Sequence, residues 1–274
     1  MIYDKKADAI MKRMICFEIR RALTEKSFYA ALLVGLMICM ADLALFYSQY
    51  GTGGDRILIQ AWIGTDFQFA YNSLYYVLFP VIACLPYAGT LYADISLGYD
   101  KNIVTRAARN TYITAKCIAV FLSAFLGVTI PLLTDVFIAA GIYPNHPPEK
   151  LTFLSAGIID CNLFPVLFNT RPALYILAFI LIDGLFAGLM GLVSLAVSKW
   201  TKSFFTSIVF PFVLYVITGV IFTGYEGDNY SVMEIINPSQ RLLVLPHVMV
   251  GIYVIVFVLS IIVLRAWTGK RDVL

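Results

Sequence analysis

Three carboxylates interrupt apolar runs of the chain: Asp42, Asp135 and Asp183. Four cations, Lys101, Arg106, Arg109 and Lys116, crowd the stretch LGYDKNIVTRAARNTYITAK (97–116) against the single acid Asp100. These two sets carry whatever chemistry the chain has. A charge at the centre of a membrane helix costs about 2.5–3.5 kcal/mol on insertion scales, so each acid is expected to face protein or water. Asp42 and Asp135 lie near the outer ends of their runs, where local hydration accounts for them, the alternative being a place on a translocation route or helix contact. Asp183 lies deeper, beside Gly184, Ala187, Gly188, Gly191 and Ser194. That GxxxG spacing lets helix backbones approach closely. Asp183 is therefore either a hydrogen-bonding group at a helix contact or a group lining a route. Ser123, Gly127, Pro131 and Asp135 repeat the theme at i+4 intervals. The basic stretch has few turn residues and reads as helical, either a solvated connector or a docking element.

Enzyme motifs are missing. There is no GxxxxGK[ST] loop; Gly269-Lys270 stands alone, and GTGG (51–54) has no strand before it, so it reads as a turn. HExxH is absent, and both histidines, His146 and His247, sit beside prolines in expected loops. The five cysteines are scattered singly, which argues against a zinc site or a disulfide framework. No catalytic residue, cofactor or metal is expected on this chain, and no nucleic-acid partner.

The elements that position these residues follow from composition. The 274 residues are 60% hydrophobic and 14% charged, with mean hydropathy +0.83. A soluble domain has roughly 45–50% apolar and about 25% charged residues, so the chain belongs in a bilayer. Runs of about 20 apolar residues cross the hydrocarbon core as helices. Six are expected, over 27–47, 71–93, 112–141, 172–198, 203–224 and 248–267, in one all-α membrane domain covering 1–274. The third and fourth are long enough to tilt or project. Pro80, Pro86 and Pro211 should bend their spans. The N-terminal 26 residues carry too much charge of both signs for a signal peptide, so the first run should remain as a span.

Placement of Lys and Arg sets orientation. With six spans, 16 of the 20 basic residues fall on the side of the termini; only Arg56, Lys150, Arg171 and Arg241 fall on the other. Both termini are thus expected in the cytoplasm. Trp200 and Trp267 flank cations as inner-interface anchors, and Tyr71, Tyr75 and Tyr76 read as outer ones. Residues 4–26 form an amphipathic helix, with Ile10, Met14 and Phe17 on one face and Lys6, Arg13 and Arg20 opposite. It is expected to lie in the headgroup plane. Segments 142–171 and 225–247 pair short apolar runs with prolines and read as external re-entrant or interfacial pieces forming a cap.

In that order the features resemble the permease subunits of bacterial type-2 ABC transporters, the six-span exporter class. The resemblance is carried by FEIRRALTEKSFYAALLVG (17–35), LPYAGTLYADISLGYDKNIVTRAARNTYITAKCIAVF (85–121), LIDGLFAGLMGLVSLAVSK (181–199) and NPSQRLL (237–243). It implies that 94–111 is a coupling helix docking on a separate ATPase through Gly98, Lys101, Arg106 and Arg109. It also implies two ATPase copies binding ATP and Mg, a second permease chain (identical or similar), and a bacterial plasma-membrane location. The 142–171 loop is longer than that pattern has, and no ATPase domain is fused. The apolar bundle suits an amphipathic or lipid-like cargo, including antimicrobial peptides. The alternative from another class is an ATP-independent immunity or sensor protein binding a peptide or membrane partner.

Overall fold

Inside lipid a backbone must satisfy its own N–H and C=O groups, which leaves helices as the solution for runs like these. The computed structural model describes residues 2–52, 56–65, 70–87, 89–98, 108–148, 163–198, 201, 203–222, 231–239 and 244–268. Their regular structure is helical throughout. Helix α1 (Ile2–Thr24) leads through an extended Glu25 into α2 (Lys26–Tyr50). A one-turn α3 (Leu58–Ala61) precedes α4 (Ala70–Cys84) and α5 (Thr90–Ser96). Then come α6 (Arg109–Ile142), α7 (Pro165–Thr170), α8 (Pro172–Ser198), α9 (Phe204–Phe222), α10 (Val232–Ile236) and α11 (Pro246–Thr268).

Five of these, α2, α6, α8, α9 and α11, are long and apolar enough to cross a membrane. The second expected span is broken. Helix α4 has 15 residues, about 22 Å of rise against a hydrocarbon core of about 30 Å. It stops before Pro86, which cannot donate a helical hydrogen bond and disfavours helix at the residue before it. The Pro86 carbonyl is taken instead by the Ser27 hydroxyl at 2.8 Å.

Helices α6 and α8 form the centre. Their glycine face is the contact the GxxxG spacing suggests. A Cβ added at Gly184 would lie 2.4 Å from Thr129 and one at Gly188 2.4 Å from the Phe121 ring, both on α6. The opposite side of α6 meets α2, where Pro131 packs on Gly35, and meets the break at Pro86 through Gly127. Helix α8 is the most deeply buried span and α11 the most exposed.

Away from α1, the bundle end is closed by short pieces. Residues 57–63 bury Ile59, Trp62 and Ile63; α7 buries Phe168; α10 buries Ile235 and Ile236. Backbone bonds tie them down, including Leu58 N–H to the Pro144 carbonyl at 2.9 Å and Tyr175 O–H to the Pro238 carbonyl at 2.6 Å. Helix α2 ends at Gly51, which has φ 60, and the Gly51 carbonyl accepts from the Tyr143 hydroxyl at 2.9 Å.

Candidate functional site

At the α1 end, four charged side chains from three elements converge in the interior. Glu18 and Arg21 stand one turn apart on α1, Asp94 is on α5, and Lys116 is two turns into α6. Glu18, Asp94 and Lys116 have side-chain exposures of 0%, 1% and 0%, whereas Arg21 keeps 30%. Arg21 grips Asp94 with both guanidinium nitrogens, at 2.7 and 3.2 Å. Lys116 Nζ hydrogen-bonds to Asp94 Oδ2 and lies 3.9 Å from Glu18 Oε2. Two tyrosines complete the set: Tyr112 O–H donates to Asp94 at 2.6 Å and Tyr87 O–H to Glu18 at 2.7 Å. The Lys116 ammonium also lies 5.2 Å from the Tyr87 ring centre and 5.4 Å from that of Tyr112, within cation–π range.

Two anions and two cations make the cluster neutral. A buried charge persists only when paired and hydrogen-bonded, and each member here is. The cluster also closes a loop. Asp94 and Tyr112 bracket the basic segment 97–109 and are bonded to each other, so the segment's two ends are tied at its base.

A second polar centre lies in the middle of the bundle. Asp183 Oδ2 accepts from the Tyr76 hydroxyl at 3.0 Å, Tyr215 O–H donates to the Tyr76 carbonyl at 3.0 Å, and Tyr253 O–H to the Ile182 carbonyl at 3.2 Å. Phe186 packs among Phe79, Tyr215 and Tyr253. This knot joins α4, α8, α9 and α11. Asp135, by contrast, serves the cap. Its Oδ2 accepts from Ile63 N–H at 3.2 Å, and Asn72 fixes the Ile63 carbonyl at 2.8 Å while bonding Asn237 at 3.0 Å.

Several sequence expectations change. Asp42 and Asp135 are 4% and 0% exposed, so hydration does not account for either; Asp135 is covered by the 57–63 piece, through the Ile63 N–H. Tyr75 and Tyr76 are wholly buried core residues instead of headgroup anchors, drawn inward by Asp183 and neighbouring rings. Lys116 is an interior cation instead of a loop charge. Ile10 and Phe17 stay exposed on α1, and the face carrying Glu18 and Ala22 packs inward. The helix approaching the basic segment ends at Ser96, and Gly98 follows at φ +67, a left-handed conformation that glycine adopts without strain. Lys101 and Arg106 lie outside the described residues, while Arg109 opens α6. The site residues missed in sequence are Glu18, Arg21, Tyr87, Asp94 and Tyr112. The available signal was one acid, Asp94, flanked by apolar residues eight positions after Pro86.

Among the described residues no group of three or more His, Cys, Asp or Glu is arranged to hold a metal. Comparison with protein-family models, with curated proteins and with solved structures finds no match.

Proposed function

We propose that the chain is the transmembrane subunit of an ATP-driven exporter, with six spans, both termini in the cytoplasm and a separate ATPase beneath the 97–109 segment. The cargo is amphipathic or lipid-like, and a second copy or a similar chain completes the pore. The broken α4–α5 element counts as the second span in this reading. Sixteen basic residues on the α1 side support the orientation.

The observation that carries the reading is the tied base of the basic segment. A force applied to residues 97–109 from below meets Asp94 and Tyr112, which are bonded together and, through Lys116 and Arg21, to α1 and α6. A push there moves α1, α5 and α6 as one body instead of flexing a loop. A solvated connector needs no such mount.

The test reverses two charges, Arg106→Glu with Arg109→Glu. Truncating a desolvated, hydrogen-bonded charge pair at an interface costs about 2–5 kcal/mol. Lost attraction to lipid headgroups is worth only about 1 kcal/mol per charge. The double variant is expected to insert normally yet lose ATPase co-purification more than tenfold. Retention of a coupled ATPase would remove these arginines from the docking surface.

A further inference from the structure

Two cavities on the flank of the bundle lie next to one another, with Thr114 lining both. The first, about 370 Å³, is bounded by Asn110, Ile113, Thr114 and Arg265. The second, about 390 Å³, continues along α6 past Cys117 and Phe121 to meet Leu192 of α8 and Phe257 and Ile261 of α11. Their chemistry differs sharply. The mouth offers a guanidinium, a carboxamide and a hydroxyl, all able to donate hydrogen bonds to an anion. The trough below is lined by apolar side chains and the Cys117 thiol.

The arrangement is antiparallel. Residues 110 to 122 ascend α6 while 257 to 265 descend α11, so polar residues of both helices gather at one end. From Thr114 to Leu122 the trough rises about 12 Å. One leaflet of hydrocarbon is about 15 Å deep. A trough of that length, with its polar mouth at headgroup level, would end before the bilayer midplane. Its floor is firm, since Phe121 is seated on Gly188 with no room for a Cβ there.

We propose that this groove binds one anionic glycerophospholipid of the adjacent leaflet, its phosphate held at Arg265, Asn110 and Thr114 and one acyl chain laid along Cys117, Phe121 and Phe257. An occupant anionic at one end and apolar for most of a leaflet's depth at the other matches both parts of the groove. A soluble phosphate satisfies only the mouth, and a zwitterionic lipid satisfies the trough while placing a second cation beside Arg265. The lipid would link α6 to α11, the most exposed of the spans. This inference needs only that α6, α8 and α11 lie in a bilayer and is independent of any ATPase or cargo.

The test uses the full chain in nanodiscs of phosphatidylcholine doped with phosphatidylglycerol, with bound lipid counted by native mass spectrometry after release. The wild type is expected to retain one phosphatidylglycerol in preference to phosphatidylcholine. Arg265→Gln should weaken retention about fivefold, the factor set by one headgroup-facing cation, and Arg265→Lys should restore most of it. Ile118→Trp, at the exposed rim of the trough, should displace the lipid equally, whereas Val220→Trp on the exposed surface of α9 should not. Equal retention of both lipids would overturn the proposal. So would unchanged phosphatidylglycerol in Arg265→Gln and Ile118→Trp, or full displacement by inorganic phosphate, which would assign the mouth to a soluble anion. Quantitative cross-linking of an Ile118→Cys variant to a second copy would place protein in the groove and equally overturn it.

Discussion

Lys116→Met is expected to lower stability by about 3–5 kcal/mol, the range for breaking a buried ion pair by removing one partner. The reason is the count of charges left behind. Without Lys116 the cluster holds two anions against Arg21 alone, and Arg21 is fully engaged with Asp94. Glu18 then keeps a single hydrogen bond, from Tyr87, and its other oxygen has no hydrogen-bond partner among the described residues. At about 2–4 °C per kcal/mol for a chain of roughly this size, the melting midpoint in detergent should fall by roughly 6–20 °C. The second mutation Glu18→Gln restores neutrality, since the Arg21–Asp94 pair survives. The double variant should recover most of the loss, and a double-mutant cycle reads the coupling directly. A Lys116→Met protein as stable as wild type would mean that the cluster is hydrated and Glu18 already compensated.

Asp183→Leu is expected to destabilise by about 1–3 kcal/mol, because it strands the buried Tyr76 hydroxyl without an acceptor. Asp183→Asn keeps an acceptor of the same shape. Among the described residues no Lys or Arg forms an ion pair with Asp183, so removing its charge leaves no cation stranded. The Asn variant should therefore express, fold and transport close to wild type, while the Leu variant should show a lowered melting midpoint and reduced expression. Tyr76→Phe in the Leu background should return part of the stability, since both partners are then apolar. A stable Asp183→Asn protein that fails to transport would show instead that the carboxylate itself acts on a route.

What the sequence makes legible is local. Apolar runs mark α2, α6, α8, α9 and α11 within a few residues, because an unbroken run of about 20 apolar residues satisfies its own backbone in lipid as a helix. The glycine face of α8 is readable because small residues four apart have one physical use in a bundle, close approach. Pro86 announces a bend but not that α4 stops there, since a proline also kinks a continuing helix. The ion cluster is illegible because its members lie far apart along the chain: Tyr87 is 69 residues from Glu18 and Lys116 is 22 from Asp94. Counting Lys116 toward loop charge hides it further, since an orientation count treats every cation near a span end alike. Tyr75 and Tyr76 mislead for a similar reason. An aromatic near the end of an apolar run suits either headgroup depth or the core, and the choice rests on Asp183, 107 residues from Tyr76. The 57–65 piece is too short to read as an element, yet its Trp62 and Ile63 are wholly buried and Ile63 takes the Asp135 carboxylate.

A permease working with a separate ATPase, as proposed, should bring that ATPase with it when the chain is isolated from its native membrane in mild detergent. The expected result is a complex with two copies of a soluble ATP-hydrolysing subunit per pair of permease chains. Its ATP turnover should be dependent on Mg and should change when the complex is reconstituted into lipid with an amphipathic cargo. A chain that purifies intact, at full yield and with its ion cluster stable, but brings no nucleotide hydrolase with it, is the contrary result. That outcome would favour an ATP-independent membrane receptor or immunity protein.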